Sequence, residues 1–469
     1  MNRREFLRTL GAGAAAALGR AAAQAQAAAP GAVPAPAAPA PAPAASAVRK
    51  PNIIFILADD LGYADVGCYG QQRIRTPSID RLAAEGVRFT QAYSGATVCA
   101  PSRCSLMTGL HGGHAHIRGN REVQPEGQEP LSAESVTVAR VLKDAGYKTA
   151  CIGKWGLGMN GTTGDPNRHG FDLFFGYLCQ RKAHSYYPEY LWRNGEKAPL
   201  DGKTYSHDLM AAEALRFVRE NKDRPFLLYL AFTIPHGKYE APDAGPYAAE
   251  PWPQVEKTYA AMITRMDADI GRLMALLREC GLDGDTLVFF ASDNGPAKLD
   301  AFKSAGPLRG MKRDLYEGGI RVPMIARWPG RIKAAATSDQ VWAFWDFPAT
   351  AAEVAGAAWP AGGDGISMVP ALLGRPQRGH EYLYWEFHER GFSQAVRAGN
   401  WKAVRNRPSQ PIELYDLAAD LGEKNNLADA RPDVAAKMEE LLKSARTDSP
   451  LFPIREPPAG KAAPARKKA

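Results

Sequence analysis

The sequence predicts an α/β fold in which a large, mostly parallel β-sheet is flanked by helices on both faces. Three features of the sequence indicate this class: short continuous apolar runs, amphipathic helical patterns between them, and polar residues directly after the runs. Continuous apolar runs are typical of strands buried on both faces, and strands that alternate with helices form parallel sheets. Ligands bind such sheets beyond the carboxyl ends of the strands. The polar residues at those ends are therefore the first candidates for a functional site.

Four predicted strands lead into polar residues at their carboxyl ends. They are Ile53–Leu57, before Asp59 and Asp60; the short run that ends at Lys154; Pro225–His236; and Leu287–Phe290, before Asp293 and Asn294. The helical patterns that alternate with them cover Ser78–Glu85, Ala133–Ala145, His207–Glu220 and Tyr259–Glu279. The sequence thus predicts that an acidic cluster, a lysine and a histidine share one edge of the sheet.

Asp59, Asp60, Asp293 and Asn294 offer the oxygen ligands that Ca²⁺ and Mg²⁺ prefer. Without a cation, three clustered carboxylates would have raised pKa values and would reduce stability. Asp, Asn and Gly also favour turns, and a turn explains either motif taken alone. The two motifs together favour a metal site.

The composition excludes several classes of protein. The chain has 469 residues, a hydrophobic fraction of 45% and only 6 cysteines, so it is neither largely disordered nor dependent on disulfides for a core. Its net charge of +8 suggests a polyanion partner. However, residues 1–48 carry four arginines against one glutamate, and the tail from Arg455 carries five basic residues against one acidic residue. The body of the chain is therefore close to neutral, and we expect no nucleic-acid partner.

The N-terminus resembles a Tat export signal. Arg3 and Arg4 precede Phe6 and Leu7, and the apolar stretch Leu10–Leu18 is too short to span a bilayer. The alternative is a disordered basic N-terminus. We interpret residues 1–27 as a signal peptide and residues 28–48 as an Ala/Pro-rich linker. This predicts the Tat translocon as a partner, a periplasmic or secreted location, and no integral membrane span.

Cys99 begins the most informative motif in the chain. Pro101 suits the first turn of a helix, which would place Cys99 just before a helix N-terminus, where free N–H groups favour anions. A reactive thiolate and an ordinary capping turn would both suit that position.

The motif Cys99-x-Pro-Ser-Arg, followed by x-x-Leu-x-Thr-Gly, resembles the signature of the type I sulfatases of the alkaline-phosphatase-like superfamily. The resemblance extends from about Lys50 to Leu442. It includes Asp59-Asp60, Gly153-Lys154-Trp155, Pro235-His236, Asp293-Asn294-Gly295, Lys312 before Tyr316-Glu317-Gly318-Gly319, and Glu413–Leu417.

The resemblance implies a mechanism and a role for each matching residue. Cys99 would be oxidised to formylglycine by a formylglycine-generating enzyme before export, and its hydrate would attack sulfur to give a covalent sulfate intermediate. Asp59, Asp60, Asp293 and Asn294, with residue 99, would hold one divalent cation, Ca²⁺ or alternatively Mg²⁺. The remaining implied roles are stabilisation of the formylglycine by Arg103, sulfate binding by Lys154 and Lys312, and protonation of the leaving group by His236.

One position departs from the family pattern. The family commonly reads Gly-Lys-Trp-His, whereas this chain has Gly156 after Trp155. The sequence therefore does not identify the residue that acts as the base on the formylglycine hydrate. The histidines that could reach the site from loops are His111, His114, His116, His169 and His184. His184 is the one we assign to substrate binding, together with Lys154, His236 and Lys312. It lies in Cys179–Gly195, a segment rich in aromatic and cationic residues that suits either a sulfated sugar or a packed loop.

The chain divides into a catalytic domain over residues 49–378, a small α+β subdomain over 379–450 and a basic, Pro-rich tail over 451–469. The subdomain is predicted to contain a small antiparallel sheet with the strands Tyr382–Phe387, Ser393–Arg397, Trp401–Arg405 and Leu414–Leu417, and the helix Pro432–Ala445.

The sequence therefore predicts an exported sulfatase that hydrolyses sulfate monoesters, with a small-molecule or oligosaccharide sulfate ester, preferably of a carbohydrate, as substrate. Two alternatives remain: a phosphate or phosphonate ester hydrolase of the same superfamily, and a sulfated-glycan-binding protein whose Cys99 is never activated.

Overall fold

The computed structural model describes residues 49–297 and 300–456. The predicted signal peptide and linker (residues 1–48) and most of the predicted tail lie outside these residues. Within the described part of the chain, no helix combines the length and apolarity needed to cross a membrane.

A mixed, ten-stranded sheet forms the centre of the molecule. In chain order its strands are β1 (Asn52–Ala58), β2 (Val87–Phe89), β6 (Lys148–Lys154), β7 (Leu173–Tyr177), β8 (Tyr190–Arg193), β9 (Glu196–Pro199), β10 (Phe226–Ala231), β11 (Thr286–Ser292), β12 (Met324–Arg327) and β13 (Ala336–Ser338). The short strands β3 (Ala92–Tyr93), β4 (Glu122–Val123) and β5 (Gly127–Gln128) lie between β2 and β6 in the chain and are not part of this sheet. Its spatial order is β13-β2-β12-β11-β1-β10-β6-β7-β8-β9.

The five central strands, β11, β1, β10, β6 and β7, are all parallel to their neighbours. Antiparallel pairs occur only towards the edges, where β12 joins β11 and β2, and where β8 joins β7 and β9. The predicted mostly parallel sheet is therefore confirmed, and its carboxyl ends meet along one edge.

Helices cover both faces of the sheet. In chain order the α-helices of the described residues are α1 (Pro77–Ala84), α2 (Cys99–Thr108), α3 (Val138–Asp144), α4 (Ser206–Glu220), α5 (Gln254–Glu279), α6 (Glu317–Ile320), α7 (Asp346–Val354), α8 (Val369–Leu372) and α9 (Pro432–Ser444), the last of which packs on the small C-terminal sheet instead. Alternate residues of β1 enter different cores: Ile54 and Ile56 pack with residues of α1, α4 and α5, whereas Phe55 and Leu57 pack with residues of α2, α3 and α7. This explains why the predicted strand is apolar at every position.

The predicted start of α3 and the predicted end of β10 were wrong for clear local reasons. Helix α3 begins at Val138 rather than Ala133, because Thr137 caps it by accepting the Arg140 N–H. Strand β10 ends at Ala231, and the predicted strand up to His236 is not paired beyond that point. The residues between, including Ile234 and the proline that has no N–H to donate, form a turn that leads His236 towards Asp59.

The C-terminal region forms the predicted small antiparallel sheet with one helix. Its strands are β15 (Leu383–Phe387), β16 (Ser393–Ala398), β17 (Trp401–Arg405) and β18 (Glu413–Asp416), which follow the short strand β14 (Trp342–Ala343). Helix α9 packs on one side through Met438 and Leu442. Trp385 and Phe387 share a core with Tyr93 and Trp345 of the larger part. The boundary at 378/379 stays a prediction, and it falls between α8 and β15.

Candidate active site

The site is built where β1, β11 and the segment after β10 end side by side. Ala58 and Ser292 are paired at the ends of β1 and β11. The Asp293 N–H donates to the Ala58 carbonyl at 3.1 Å, and the Asp59 N–H donates to the Ile234 carbonyl at 3.1 Å. These backbone bonds hold the residues that follow the three segments at one edge of the sheet.

The four predicted oxygen ligands come together there, and all are buried. The Asp60 N–H donates to Asp293 Oδ1 at 3.1 Å, and Asn294 Nδ2 donates to Asp60 Oδ1 at 2.7 Å. Asp59 is the fourth member and precedes Asp60, whose backbone is left-handed with a φ of 63°. That unusual conformation turns two consecutive carboxylates into one cluster.

Cys99 is the first residue of α2, one position further into the helix than the sequence predicted. Its Sγ lies 3.5 Å from Asp59 Oδ1 and 3.6 Å from Lys312 Nζ. Burial raises the pKa of the Cys99 thiol to about 12, although Lys154 and Lys312 oppose that shift. The unmodified side chain is therefore a protonated thiol at neutral pH, which is a poor nucleophile.

Arg103 lies one turn along α2 from Cys99 and is fully buried. Its guanidinium donates to Asp293 Oδ2 through Nε at 3.2 Å and through Nη2 at 2.7 Å. Nη1 donates to the Lys154 carbonyl at 2.8 Å. Arg103 thus joins α2 to the ends of β11 and β6.

Two buried lysines contribute positive charge. Lys154 Nζ lies 2.6 Å from Asp59 Oδ2, and Lys312 Nζ lies 2.6 Å and 2.7 Å from the two Asp60 oxygens. These pairs explain why the acidic cluster differs from the sequence-based expectation of generally raised pKa values.

The three carboxylates do not respond alike to their surroundings. Burial raises the pKa of Asp59, but Lys154, His236 and Arg103 outweigh it and hold the value well below the usual range. The pKa of Asp60 is lowered by His236 and Lys312 against the same effect of burial. Only Asp293 is shifted upwards: burial and the charge of Asp59 raise its pKa to about 6.

His236 and His184 form a stacked pair beside the lysines. Their ring centroids are 3.5 Å apart and their planes differ by 8°. His236 Nε2 lies 3.0 Å from Lys312 Nζ and 3.3 Å from Asp60 Oδ2, and Nδ1 lies 2.6 Å from the Gly237 carbonyl. His184 Nε2 lies 3.5 Å from Lys154 Nζ. Burial lowers the pKa of both imidazoles.

Other histidines that the sequence offered have partners elsewhere. His111 and His114 stack on each other and face Asp364, with His114 Nδ1 at 2.8 Å from Asp364 Oδ1. The Gly113 N–H donates to His111 Nδ1 at 3.1 Å, so the neutral ring carries its proton on Nε2. His169 Nε2 contacts the Thr163 carbonyl at 2.9 Å. Of these loop histidines in the described residues, His184 lies at the site, with Nε2 3.5 Å from Lys154 Nζ.

The aromatic segment around His184 is largely bonded within the protein. The Tyr186 hydroxyl donates to the His236 carbonyl at 2.6 Å, and Trp192 Nε1 donates to Glu126 at 2.9 Å. Of the two interpretations of Cys179–Gly195, these contacts support a packed loop that carries His184 into the site.

Gln180, which the sequence did not single out, lies against Gly156. A Cβ atom at Gly156 would come within 2.2 Å of Gln180 Nε2, and Gly156 has a φ of 75°. Gln180 is 6% exposed, and neither of its side-chain polar atoms has a hydrogen-bond partner within the protein. The amide therefore fills the space that a side chain at position 156 would need.

The oxygen atoms of Asp59, Asp60, Asp293 and Asn294 suit a hard divalent cation. Asp59, Asp60, Cys99 and His236 each present one ligand atom within 4.8 Å of the others. Asn294 Oδ1 is buried and has no hydrogen-bond partner within the protein, as expected of an oxygen that faces a positive ion. Asp293 and Asn294 are bonded to Asp60, which places their oxygens beside the group.

Comparison with known proteins identifies relatives of nearly the whole described chain. The sulfatase family profile matches residues 51–357, and the profile of the N-sulphoglucosamine sulphohydrolase C-terminal region matches residues 311–448. Steryl-sulfatase of Mus musculus is 32% identical over 84% of this chain and 81% of its own length. N-acetylgalactosamine-6-O-sulfatase of Bacteroides thetaiotaomicron is 30% identical over 85% and 94%.

Solved structures show the same architecture. The crystal structure of Ps i-CgsB in complex with k-i-k-neocarrahexaose superposes with a TM-score of 0.77 at 29% identity, covering 87% of this chain and 95% of that one. The similarity covers the large sheet together with the small C-terminal sheet.

Proposed function

The chain belongs to the sulfatase family and is a sulfuric ester hydrolase, and from this premise we propose that its substrates are sulfate monoesters of carbohydrates. Two similar proteins support this proposal. One relative is named N-acetylgalactosamine-6-O-sulfatase, and one structural neighbour was crystallised with k-i-k-neocarrahexaose. Steryl-sulfatase, at similar identity, makes a sterol sulfate the competing substrate.

The nucleophile is formylglycine made from Cys99. The observation that carries this proposal is the position of Cys99 at the first turn of α2, within 3.6 Å of Lys312 Nζ, combined with a thiol whose pKa is raised to about 12. A buried, protonated thiol is unsuited to attack sulfur, whereas a hydrated aldehyde supplies a hydroxyl nucleophile and can later expel sulfate. The modification requires a formylglycine-generating enzyme as a partner before export.

Asp59, Asp60, Asp293 and Asn294 would hold one divalent cation, Ca²⁺ or alternatively Mg²⁺, together with residue 99. When bound, the ion supplies positive charge that stabilises the charge developing on the sulfuryl oxygens. Lys154 and Lys312 bind the carboxylates of Asp59 and Asp60 at 2.6 Å, the same oxygens that the cation needs. A cation bound to those carboxylates would offset their negative charge, and the two ammonium groups would then be available to bind sulfate.

The other side chains orient the reaction. Arg103 fixes Asp293 through two hydrogen bonds and keeps α2 against β6. His236 Nδ1 donates to the Gly237 carbonyl at 2.6 Å, so in the neutral ring Nε2 is unprotonated and accepts from Lys312 Nζ at 3.0 Å. Nε2 is therefore the atom that would gain a proton and pass it to the leaving oxygen. His184 binds substrate next to Lys154 and stacks on His236, which keeps the second ring oriented.

The reaction class is tested with a matched pair of esters. Sulfate and phosphate monoesters of the same alcohol are incubated with purified protein, and release of the alcohol is measured. We expect turnover of the sulfate ester to exceed that of the phosphate ester. A preference for phosphate would assign the chain to phosphate or phosphonate ester hydrolysis, and specific binding of a sulfated glycan without turnover of either ester would indicate the glycan-binding alternative.

The cation is tested by removal. Dialysis against a chelator should abolish sulfate ester turnover, and Ca²⁺ or Mg²⁺ should restore it. An Asp60→Asn variant should need a higher concentration of the restoring ion than the wild type, because one anionic ligand is lost. Full activity after exhaustive chelation would contradict the metal assignment.

Export through the Tat pathway completes the proposal and places the protein in the periplasm or outside the cell. The predicted signal is tested by replacing Arg3 and Arg4 with lysines and fractionating cells of the native host. We expect the variant to accumulate in the cytoplasm, whereas the wild type is exported. Equal distribution of the two would contradict this route.

A further inference from the structure

The turn between β15 and β16 brings an acidic residue of the small sheet next to the segments that carry Cys99 and Lys312. In this turn, Glu389 Oε1 accepts from Asn120 Nδ2 at 2.8 Å. Its other oxygen, Oε2, accepts from Arg313 Nε at 3.0 Å. One carboxylate therefore connects two loops of the larger part of the molecule.

The first of these loops reaches the helix of Cys99. Asn120 Oδ1 accepts the Ala100 N–H at 3.0 Å. The first N–H groups of a helix have no acceptor within the helix, and Ala100 is the second residue of α2. The Asn120 amide thus binds the residue next to Cys99 with its oxygen while its nitrogen binds Glu389, and both contacts require the same orientation of the amide.

The second loop carries Lys312. Arg313 follows it directly, and the Arg313 N–H donates to the Thr97 carbonyl at 3.1 Å. Arg313 also has a left-handed backbone with a φ of 75°, a conformation that non-glycine residues adopt only where contacts hold it. The ion pair with Glu389 is a contact of this kind, and it acts one residue from Lys312.

These contacts form a closed ring: Thr97–Ala100, Asn120, Glu389, Arg313 and back to Thr97. Residue 99 lies inside one arc of the ring, and Lys312 adjoins another. The ring thus links the segments that carry residue 99 and Lys312, whose Sγ and Nζ atoms are 3.6 Å apart.

We propose that Glu389 is a positioning residue for sulfate ester cleavage, which holds residue 99 and Lys312 in register through Asn120 and Arg313. The catalytic part of this proposal rests on the proposed function, whereas the ring itself does not. The side chains of Glu389 and Arg313 are 20% and 38% exposed, and ion pairs with such exposure contribute little to folding stability. A small error in the placement of a reacting group, in contrast, strongly reduces turnover.

The experiment compares Glu389→Ala, Glu389→Gln and Asn120→Ala with a matched control, Glu439→Gln. Glu439 forms an ion pair with Arg405 on the same small sheet and helix, but on residues outside the ring. Three quantities are measured for the full-length protein: amide hydrogen exchange of peptides containing Ala100, kcat and KM for one chromogenic aryl sulfate, and the melting temperature. The formylglycine content at residue 99 is measured by mass spectrometry so that rates refer to modified protein.

We expect faster exchange at Ala100 in the three ring variants and wild-type exchange in Glu439→Gln. We also expect kcat to fall about tenfold or more in Glu389→Ala, with a smaller fall in Glu389→Gln, whose amide oxygen still accepts one of the two bonds. KM, melting temperature and formylglycine content should stay near the wild-type values.

Unchanged exchange at Ala100 in Glu389→Ala would overturn the ring, whatever the enzyme does. Faster exchange with unchanged kcat, or a raised KM at unchanged kcat, would overturn the positioning role, the latter because it indicates direct substrate contact. Failure of the proposed function is a different result: wild-type protein would lack sulfate ester turnover, while the exchange measurement would still decide the ring.

Discussion

At Gly156, where the chain departs from the family pattern, the space beside the backbone is occupied by the side chain of Gln180. The left-handed backbone of Gly156 disfavours any side chain, and an added Cβ would lie 2.2 Å from Gln180 Nε2, so the end of the Gln180 side chain would have to move. A histidine here would therefore require both a strained backbone and a displacement of the buried Gln180 amide. An imidazole comes to the site from a different segment instead: His184, which stacks on His236.

We predict that Gly156→Ala destabilises the protein more than Gly161→Ala does. Gly161 has a similar φ of 79° but nothing within 4 Å of an added Cβ, so it reports the backbone cost alone, about 1 kcal/mol. The collision with Gln180 should add about 1–3 kcal/mol in Gly156→Ala. Urea unfolding measures both, and the double variant Gly156→Ala/Gln180→Ala should return to the cost of Gly161→Ala. Equal stability of the two single variants would show that Gln180 moves freely.

At this scale, the sequence predicted the residues that follow strands and missed those that meet through tertiary contacts. Asp59, Asp293 and Lys154 could be recognised because parallel strands align their carboxyl ends. Gln180 and Glu389 could not, because their partners lie 24 or more residues away and no periodicity connects them. A buried polar residue next to an unusual glycine is the signal that would have suggested Gln180.

Among the elements, errors in the predicted boundaries arose where polar residues begin a helix or where buried chain is not paired. Helix α5 begins at Gln254, five residues before the predicted start at Tyr259, since its first turn after Pro253 has a single apolar residue, the exposed Val255, and so shows no apolar periodicity. The segment after β10 stays apolar although its pairing ends at Ala231. Burial alone therefore does not indicate a strand.

A buried charge network connects the small sheet to helix α6, and the sequence analysis did not predict it. Lys402 of β17 lies 2.9 Å from both Glu317 of α6 and Glu423, and all three side chains are fully buried. Glu423 Oε2 also accepts the Glu317 N–H at 2.7 Å. Burial raises the pKa of both glutamates. For Glu317 the positive charges of Lys402 and Arg321 outweigh burial and lower the pKa to about 2, whereas for Glu423 burial and the charge of Glu317 outweigh Lys402 and the pKa is raised.

We predict that Lys402→Met lowers the free energy of unfolding by about 3–5 kcal/mol, because it leaves two buried carboxylates without their shared cation. Adding Glu423→Gln should recover part of that loss, since Glu317 keeps its pair with Arg321. Denaturant unfolding measures both variants, with Lys437→Met on the exposed face of α9 as the control. A cost for Lys402→Met no larger than that of the control would contradict the role of this network.

For the whole molecule, the sequence predicted the architecture well because its cause is simple. Alternating buried strands and helices require a parallel sheet covered on both faces, and this is the arrangement of the five central strands. The antiparallel edges were not predicted: β12 and β2 are short, and their direction follows from the path of the connecting loops rather than from residue type. Trp385 packs against Tyr93 and Trp345, so that the small sheet shares a core with the larger part of the molecule.

Global stability should depend on pH through two histidines with shifts of opposite sign. Burial lowers the pKa of His111 to about 4, against the attraction of Asp364 and Glu386 and with the help of His114 and Arg118. An unfolded histidine titrates near 6.5, so the contribution of His111 is fully present above that pH and is lost as the pH falls towards 4. By pH 5 the loss should be about 2 kcal/mol.

We therefore predict that His111→Asn weakens the fall in unfolding free energy between pH 7.5 and pH 5. The asparagine oxygen can still accept the Gly113 N–H, so the loss of packing should be similar at both values. His380 provides the control of opposite sign: Asp346 raises its pKa against the effect of burial, so its contribution is present at low pH and His380→Asn should steepen the fall. Parallel pH profiles for the wild type and both variants would contradict these assignments.

The most direct test of the central claim is the chemical state of residue 99 in protein from its native host. Peptide mass spectrometry on the fragment from Thr97 to Arg103 should find an aldehyde in place of the Cys99 thiol, reactive towards a hydrazine probe. Its fractional content should scale with sulfate ester turnover across preparations, and Cys99→Ala should have none. An unmodified Cys99 thiol in a preparation that turns over sulfate esters would contradict the mechanism.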